Sequence, residues 1–518
     1  MSSVWLLLWF VAATSASEIL FVNMWNSKSH AGTMHPLAER LAKHGHNVTM
    51  YTQVLSSIGK LRGVNTVETV LPERYNRESF ADTLNNLIWK QEFVPDTVNE
   101  AYKIGQAFTT DSWSEETFQS IRNRRYDLVV SDEMFTNTGF GLALEQNYLF
   151  GSKIALFTTT DLFPTYSRMR ALSRNPVMAP NYYTRTDRCY AYSPRNFYDR
   201  LLTIRDVVSE FASLEYISEF YMRQSVSRFG VHNFHWNDLY SVCVRPQQVT
   251  DNGNPLQKTE ITFSDYPDRY AWPTAVSNQM VYTGSYCNGA GRVHGDLEAF
   301  MNDTTKKGVI YVAFGSMVNW GGAPVEVIDA FFDMFTYFPD YNFIFSFKLK
   351  GYPVKEKAGP NVKVLSWAPQ REIVADERTV LFFTHGGLKS LKESICAGTP
   401  VLVLPFFADQ VRNALYMVHL GFAEYVNKRT ITLENLVEPM GKMLSQRRRY
   451  KENILRVRSM FVDRIMDPLE EGAFWTDKML RSERRINFEI MGTELSYFKI
   501  FNFDLLLLLA FVSLILIC

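Results

Sequence analysis

The segment from Trp367 to Gln410 constrains the fold of this 518-residue chain more than any other part of it. Its sequence is WAPQREIVADERTVLFFTHGGLKSLKESICAGTPVLVLPFFADQ. Hydrophobic periodicity predicts a loop, a helix, a strand that ends at His385-Gly386-Gly387, a second helix, a second strand and a closing polar loop. In α/β proteins this order builds a ligand site where the carboxyl ends of parallel strands meet.

Strands and helices are predicted to alternate on both sides of this segment. In the first half, the predicted strands are Ile19–Met24, Val48–Thr52, Tyr126–Ser131 and Ile154–Thr158, and the predicted helices are Thr33–His44, Ser114–Arg125 and Gly139–Gln146. In the second half, the predicted strands are Val309–Phe314, Tyr341–Phe347, Val362–Leu365, Val380–Thr384 and Val401–Pro405. The alternation predicts an α/β fold of two Rossmann-like domains that face a cleft.

The length and the 46% apolar content agree with two domains, each with its own core. We assign residues 18–264 to the first domain, residues 265–290 to a linker that contains Pro and Gly, and residues 291–446 to the second domain. The charged residues 447–496 are predicted to form C-terminal helices. The 54 basic and 54 acidic residues balance, so no electrostatic field favours nucleic acid as a partner.

Both ends of the chain are apolar. Residues 1–17 carry an apolar run and then small residues, and are predicted to be a secretory signal peptide. Residues 497–518 end in an uncharged run, Leu505–Cys518, and are predicted to be a membrane anchor, although Asp504 is costly within a bilayer. A buried terminal helix and a lipid-anchor precursor are the alternatives. Together the two ends predict a single-pass protein of the endoplasmic reticulum membrane with both domains in the lumen.

Modification sites and cysteines add little to the fold prediction. The sequon at Asn302 lies in a polar stretch and is predicted to carry a glycan, whereas Asn47 opens a strand and is predicted to stay unmodified. The five cysteines are too few and too scattered for a disulfide framework or a zinc site, and their odd number leaves one thiol unpaired.

Two strand-to-helix turns predict an anion-binding site. The turn at His385-Gly386-Gly387 lets backbone amides approach an anion at the start of a helix, where the helix dipole adds positive potential. His385 can donate a hydrogen bond, and Ser390 adds a hydroxyl group. A second turn, after the strand Val309–Phe314, ends in Ser316. Two such turns side by side suit a diphosphate.

The remaining polar residues of the segment suit the other parts of a nucleotide sugar. Trp367 can stack on a flat base, and the amide of Gln370 can bind a base or ribose edge. Glu393 can accept a hydrogen bond from a ribose hydroxyl group, as acidic residues do in dinucleotide sites. Asp409 and Gln410 pair a carboxylate with an amide, which suits adjacent hydroxyl groups of a sugar.

These residues closely resemble the signature of the UDP-glycosyltransferase family, which includes the animal UDP-glucuronosyltransferases and UDP-glucosyltransferases. The match runs from the Trp-x-Pro-Gln element through His-Gly-Gly to Asp-Gln, and the resemblance covers nearly the whole chain. It implies a GT-B fold, and it implies that Trp367 stacks on uracil, Gln370 binds the nucleoside and Glu393 holds the ribose.

The resemblance also implies roles around the diphosphate and the sugar. The residues that it places at the diphosphate are Ser316, His385 and Ser390, with Gly387 in the turn, and those at the sugar are Asp409 and Gln410. Lys389 departs from the pattern, because the family often has Asn there. Its ammonium group either supports the diphosphate or points into solvent.

A catalytic pair is predicted in the first domain. His30 follows the first strand, in the loop from Asn26 to Gly32, and a neutral imidazole there can remove a proton from an acceptor alcohol. Asp132, at the end of the strand Tyr126–Ser131, can orient that imidazole and stabilise its cation. The spacing of His30, Pro36, Gly45 and His46 resembles the opening segment of the family, which carries the base role onto His30.

Other residues compete for these roles. Glu133 is the alternative to Asp132, although its side chain is predicted to point to the other face of the strand end. His35 is predicted to be structural or to line the cleft, and His44 and His46 are predicted to be exposed around a turn.

The predicted reaction is inverting transfer of a hexose, glucose or glucuronate, from a UDP-sugar to a hydroxyl or carboxyl group of a small lipophilic acceptor. The UDP-sugar is a co-substrate, and no cofactor is expected. No metal requirement is expected either, because the chain contains no Asp-x-Asp motif. The alternatives are a transferase that makes an endogenous glycolipid and a catalytically silent UDP- or lipid-binding protein. An NAD-dependent reductase is disfavoured, because no Gly-x-Gly-x-x-Gly motif follows either first strand, and homo-oligomerisation stays open.

Overall fold

The computed structural model describes most of the chain as two α/β units, each built on one parallel sheet. The described residues are 16–57, 59–71, 88–170, 172, 174–180, 182–184, 192–240, 259–270, 272, 275–315, 318–349, 351–483, 497–500 and 502–517. Most of the predicted signal peptide, residues 1–15, lies outside this set, as does Ser316.

Seven strands form the sheet of the first unit, and the central strands are almost wholly buried because helices cover both faces of a parallel sheet. The seven strands are β1 Glu18–Val22, β2 Asn47–Val54, β3 Asn65–Val70, β4 Leu128–Asp132, β5 Lys153–Thr158, β6 Ile261–Ser264 and β7 Met280–Tyr282. All seven are parallel, in the order β3-β2-β1-β4-β5-β6-β7.

The helices of the first unit place their apolar stripes on this sheet and on one another. They are α1 Lys28–Lys43, α2 Asp96–Ser112, α3 Glu116–Arg122, α4 Asn137–Phe150, α5 Pro164–Met169, α6 Phe197–Ala212 and α7 Glu219–Val226. In α1, for example, Met34, Leu37, Ala38 and Leu41 are buried at helical spacing. A π-helical turn, Ser213–Ser218, joins α6 to α7.

The second unit repeats the same plan. Its strands are β8 Val309–Ala313, β9 Asn342–Ser346, β10 Val362–Leu365, β11 Thr379–Thr384, β12 Val401–Val403 and β13 Ala423–Tyr425. They form a six-stranded parallel sheet in the order β10-β9-β8-β11-β12-β13.

The helices that follow in the chain are α8 Gly295–Met301, α9 Val325–Tyr337, α10 Val354–Lys357, α11 Gln370–Ala375, α12 Leu388–Ala397, α13 Asp409–His419, α14 Leu433–Ser445, α15 Arg447–Val462, α16 Pro468–Arg481, α17 Tyr497–Ile500 and α18 Phe503–Ile517. The strand order reverses between β1 and β4 in the first sheet and between β8 and β11 in the second. Crevices at such reversals are where α/β sheets bind ligands.

Two segments connect the units differently from the predicted organisation. Residues 265–290, predicted as a linker, contain β7, which pairs with β6 as the last strand of the first sheet. Among the predicted C-terminal helices, α16 returns to the first unit and packs against α1. The first unit is therefore completed by chain that follows the second.

The return of α16 makes the prediction for His44 and His46 wrong. His46 is buried, and its Nε2 lies 2.7 Å from a carboxylate oxygen of Asp477. His44 contacts Asp477 at 3.2 Å and Glu470 at 3.0 Å. Both histidines thus bind α16 instead of facing water, which no local sequence pattern could indicate.

A disulfide joins Cys287, which follows β7, to Cys396 of α12 across 109 residues of sequence. The bond ties the connection between the two units to a helix of the second unit. Although the cysteines are too scattered for a framework, two of them meet here because the chain folds back on itself.

The C-terminal helix α18 is 15 residues long, and leucines such as Leu507 and Leu509 are exposed on it. Among the helices of the described ranges, none combines the length and the apolar character that crossing a bilayer requires.

Candidate active site

His30 and Asp132 meet at the strand reversal of the first sheet. The His30 Nδ1 atom lies 2.6 Å from Asp132 Oδ2, and the imidazole keeps 15% of its side chain exposed while Asp132 is fully buried. The backbone amides of Met24 and Met134 donate to the two carboxylate oxygens of Asp132, each at 3.1 Å. A carboxylate oxygen accepts hydrogen bonds, so the His30 proton that faces Asp132 lies on Nδ1, and Nε2 is left as the acceptor.

The residues around His30 start helix α1 earlier than predicted. The sequence pattern places His30 in a loop, but the helix begins at Lys28 because the Ser27 side chain caps it by accepting from the His30 backbone amide at 3.2 Å. His30 is therefore held in the first helical turn. Thr159, which follows β5, adds a second contact to His30 Nδ1 at 3.0 Å, and no sequence motif indicated it.

The two competing residues have other partners. Glu133 is buried in an ion pair with Arg170 and accepts a hydrogen bond from Tyr240, which confirms that it points away from Asp132 and His30. His35 contacts the backbone oxygen of Arg62 at 2.8 Å and lines a cavity between the two units.

Three polar residues of the second unit form one hydrogen-bonded group. The Gln370 amide donates to Ser390 Oγ at 3.0 Å and to Glu393 Oε2 at 2.7 Å. Burial raises the pKa of Glu393, and the hydrogen bond from Gln370 partly opposes that shift. The helices α11 and α12 thus place an amide, a hydroxyl group and a carboxylate together, as the sequence predicted.

Trp367 lies just before this group and is 77% exposed. Tryptophan side chains are highly buried on average, so this exposure is unusual. An exposed indole next to Gln370 and Glu393 offers a free face for stacking on a planar ring.

His385 fills the strand reversal of the second sheet. A Cβ atom on Gly315 would lie 2.8 Å from its ring, and one on Gly387 would lie 2.5 Å from it, so both turns need glycine for the imidazole to fit. Burial lowers the pKa of His385 to about 4. The ring is therefore neutral near pH 7 and can donate one hydrogen bond at the amino end of α12.

Asp409 and Gln410 open helix α13 and are both buried. Asn413 donates to Asp409 Oδ2 at 2.9 Å and to the backbone oxygen of Gly386 at 3.0 Å. Gln410 Oε1 accepts from the amide of Phe406 at 2.9 Å. Asn413, one helical turn after Asp409, was missed by the sequence reading, although a polar residue at that spacing is a signal for such a contact.

The backbone before Asp409 is strained. Ala408 adopts φ 55° and ψ −134°, a conformation that only glycine adopts freely. The strained residue lies directly next to a candidate sugar-binding carboxylate, which is where proteins concentrate such strain.

The charge on Asp409 is coupled to the first unit. Burial raises the pKa of Asp409 to about 6, while the hydrogen bond from Asn413 and the charge of His30 oppose that rise. Thr159, which contacts His30, and Asp161, which pairs with Arg412 of α13, both follow β5, so the candidate base and the helix that carries Asp409 meet at the same cleft.

Ion pairs hold the two units together around this cleft. Arg412 of α13 lies 2.7 Å from Asp161, which follows β5. Lys392 of α12 lies 2.7 Å from Asp265, which follows β6, and both are buried. Arg412 is thus occupied by a carboxylate of the first unit, and the sequence alone did not place it.

Lys389 lies on the cleft side of α12. It is exposed and lines a cavity of about 600 Å³ together with Gly32 of α1 and Glu393. A Cβ atom on Gly32 would lie 3.5 Å from Lys389 Nζ. The ammonium group therefore points across the cleft toward α1 and not into open solvent.

Known proteins share both the sequence and this architecture. The family model described as UDP-glucoronosyl and UDP-glucosyl transferase matches residues 18–518. UDP-glycosyltransferase UGT5 of Dactylopius coccus is 24% identical over 524 residues, which cover 97% of this chain and 90% of that protein. A UDP-glucuronosyltransferase of Pleuronectes platessa is 33% identical over 248 residues, 46% of this chain and 51% of that protein.

A solved structure shows the same fold. The complex between a UDP-glucosyltransferase from Polygonum tinctorium and 3,4-dichloroaniline has a TM-score of 0.56 and 14% identity, over 90% of this chain and 99% of that chain. The arrangement of two facing parallel-sheet units is thus the GT-B architecture. With a family model that spans both units, this chain belongs to the family of UDP-glucuronosyl and UDP-glucosyl transferases.

Proposed function

We propose that this transferase moves glucose or glucuronate from a UDP-sugar to a hydroxyl or carboxyl group of a small lipophilic acceptor, with inversion at the anomeric carbon. The observation that carries the proposal is the His30–Asp132 pair at 2.6 Å. A base on one wall and a sugar-binding carboxylate on the other suit direct displacement.

His30 acts as the base in this mechanism. Because Nδ1 is bonded to Asp132, Nε2 accepts the acceptor proton while the acceptor oxygen attacks the anomeric carbon. The bond from that carbon to the β-phosphate oxygen breaks, and its electron pair leaves with UDP. Asp132 stabilises the imidazolium that forms, as in hydrolase triads. Attack opposite the leaving group converts an α-linked donor into a β-glycoside.

The second unit binds the donor. Trp367 stacks on uracil, Gln370 binds the nucleoside and Glu393 holds the ribose hydroxyl groups. The diphosphate is held by His385, Ser390 and the amides at Gly387, with Ser316 as a further candidate outside the described residues. Asp409 and Gln410 bind the sugar hydroxyl groups. These neutral donors and the helix dipole stabilise the charge that develops on departing UDP.

An assay of His30→Ala tests the base. The chain would be expressed in cells, and microsomes from those cells would be assayed with phenolic acceptors. The donors would be UDP-glucose, UDP-glucuronate, UDP-galactose and UDP-N-acetylglucosamine. We expect a β-glycoside from one donor and loss of that product in the variant. His35→Ala is the matched control, because His35 lies on the same helix and bonds to a backbone oxygen, and it should retain turnover.

Other outcomes of the same assay would contradict the proposal. The unsubstituted chain could bind UDP but make no product from any combination of donor and phenolic acceptor. A ceramide acceptor would then be tested, because product from ceramide indicates a glycolipid transferase and no product indicates a silent binding protein. Strong inhibition by EDTA would contradict the expectation that no metal takes part.

We also propose that both domains lie in the lumen of the endoplasmic reticulum, behind a signal peptide at residues 1–17 and a membrane anchor at residues 497–518. The Cys287–Cys396 disulfide supports an oxidising compartment, and the exposed Asn302 supports glycosylation. Glycosidase treatment of the chain and of Asn302→Gln tests the glycan. A chain truncated after residue 496 tests the anchor when its membranes are extracted with alkaline carbonate. If the truncated chain stays in the membrane, residues 497–518 are not the sole anchor.

A further inference from the structure

A short segment of the first unit enters the core of the second unit. Residues 88–92, the bridging segment, lie between β3 and α2. Ile88 is fully buried and Trp89 is 7% exposed, and both belong to an apolar cluster whose other buried members lie in the second unit. Burial of two large apolar side chains is favourable, so packing joins the two units here in addition to the ion pairs around the cleft.

Trp89 lies against the loop that follows β8. Its Nε1 atom donates to the backbone oxygen of Asn319 at 2.9 Å, and its ring centroid lies 5.4 Å from that of Trp320. The same loop starts at the Gly315 turn, which packs against His385. An indole of the first unit thus holds the far end of a loop that belongs to the candidate diphosphate site.

The loop between β12 and α13 is the second point of contact. Phe406 in this loop is fully buried, and its ring centroid lies 5.0 Å from that of Trp89. The buried ammonium group of Lys428 donates to the backbone oxygen of Phe406 and to that of Gln91 in the bridging segment, each at 2.6 Å. One cation therefore joins the backbones of the two units, three residues before Asp409.

Lys428 is charged where it makes these bonds. A buried lysine is costly unless polar groups replace its water. Burial lowers the pKa of Lys428 to about 8, and the charge of Glu92 in the bridging segment opposes that shift. Because this value is above 7, the ammonium form prevails at neutral pH. Hydrogen bonds from a charged donor are about twice as strong as neutral ones, so Lys428 fixes the Phe406 carbonyl group.

The fixed Phe406 in turn orders the candidate sugar-binding residues. Its backbone amide donates to Gln410 Oε1 at 2.9 Å, so its position sets the orientation of the Gln410 side chain. Ala408, two residues later, has the strained φ of 55° and directly precedes Asp409. Such strain persists only where neighbouring contacts over-determine the backbone. The contacts of Phe406 with Lys428 and with the bridging segment are of that kind.

We propose that Lys428 and Trp89 are positioning residues of the donor site, through which the first unit sets the place of the Asp409–Gln410 pair in the second. The inference rests on the proposed function, since it takes that pair as the sugar-binding group. Neither positioning residue touches the sugar, because each acts through Phe406 or through the loop after β8. A donor sugar is thus held correctly only while the unit proposed to bind acceptors is docked against the unit that binds the donor.

Lys428→Met tests the inference, because it keeps the length of the side chain and removes both hydrogen bonds. Arg429→Met is the matched control. Arg429 also binds the bridging segment, at the Lys90 oxygen and the Glu92 carboxylate, but it is exposed and lies outside the apolar cluster. The full chain and both variants would be titrated by calorimetry with UDP, UDP-glucose and UDP-glucuronate. Hydrogen exchange would be measured on the peptide that covers residues 404–410.

We expect Lys428→Met to raise the dissociation constant of the UDP-sugar that the unsubstituted chain binds by about fivefold or more, because displaced binding groups lose their contacts. The dissociation constant of UDP should not change, since the sugar-binding pair does not contact UDP. Exchange in residues 404–410 should be faster by about tenfold, because the loop opens more readily. Arg429→Met should leave the affinities and the exchange rate unchanged.

Two results would overturn the proposal: equal effects of Lys428→Met and Arg429→Met, or faster exchange in Lys428→Met with unchanged affinity for the UDP-sugar. If Lys428→Met does not fold, Trp89→Phe carries the same test, because its smaller ring loses contact area with Phe406 and its bond to Asn319. Unchanged exchange and affinity in Trp89→Phe would then overturn the proposal. Failure of the unsubstituted chain to bind either UDP-sugar would contradict the proposed function instead, and the exchange rates would still decide whether the bridging segment fixes the loop.

Discussion

The two walls of the cleft are prepared for their ligands in opposite ways. In the first unit, Asp132 already accepts hydrogen bonds from two backbone amides and from His30. In the second unit, burial raises the pKa of Asp409 to about 6 and lowers that of His385 to about 4. In the catalytic wall the hydrogen-bond partners of Asp132 are thus in place without substrate, whereas in the donor wall burial disfavours the charged forms of Asp409 and His385.

The difference follows from what each wall does. The imidazole must be correctly oriented before the acceptor alcohol binds. The carboxylate that orients it is therefore itself fixed by backbone amides. A donor site must release UDP after each turnover, and a neutral His385 gives the diphosphate a hydrogen bond without the stronger charge-assisted bond of a cation. The predictions below test this contrast from the largest expected effect to the smallest.

Replacing Asp132 by Asn should break the catalytic wall alone. We expect kcat to fall by about 10³- to 10⁴-fold, as in other His–Asp pairs, because the amide can stabilise the wrong tautomer and cannot neutralise the imidazolium. The UDP dissociation constant, measured by calorimetry, should not change. Glu133→Gln is the control, since it removes the adjacent buried carboxylate and should lower the melting temperature with little change in kcat. Equal turnover in Asp132→Asn would remove Asp132 from the mechanism.

The pH dependence of the donor wall should follow Asp409. Its folded pKa of about 6 exceeds the ordinary value of 3.8 because burial disfavours the carboxylate. The ionised form that binds sugar hydroxyl groups is therefore lost as pH falls through about 6. We expect kcat/KM for the UDP-sugar to drop about tenfold per pH unit below that point.

Asp409→Asn tests whether this carboxylate causes the loss of kcat/KM at acid pH. The variant should have a lower kcat/KM at pH 7.5, and its kcat/KM should fall less steeply as pH decreases below 6. Because folding raises this pKa, the ionised carboxylate costs stability above pH 6, so the variant should not unfold more readily at neutral pH. If kcat/KM of the variant falls below pH 6 as steeply as that of the unsubstituted protein, a group other than Asp409 causes the fall.

Trp367→Ala should weaken the donor wall without touching the catalytic wall. Loss of stacking on a base costs about 1–3 kcal/mol, so we expect the dissociation constant of UDP to rise by about tenfold. Ratios of kcat/KM among acceptors should stay constant. An unchanged UDP affinity would show that the exposed indole has another partner.

Ala408→Gly should give the smallest effect. Relief of the strained backbone at φ 55° should raise the free energy of unfolding by about 1 kcal/mol, after the larger entropy of glycine in the unfolded chain is deducted. Chemical denaturation measures this change. A lower stability would show that the alanine methyl group makes contacts worth more than the strain.

How much of the site could be predicted depends on how far apart its partners lie in sequence. Gln370, Ser390 and Glu393 lie within one helix–strand–helix segment, so the local pattern placed them together correctly. The pairing of His30 with Asp132 was also predicted, because both follow parallel strands of one sheet. The helix start at Lys28 was missed, because a single serine cap decided it.

The amino-acid sequence by itself determined the two α/β units and the candidate residues at their strand ends. Hydrophobic periodicity and turn residues act between neighbours, and they are readable without the fold. Only the tertiary structure decided that α16 buries His46 and that Arg412 binds Asp161. Such contacts join segments far apart along the chain, and no local pattern encodes them.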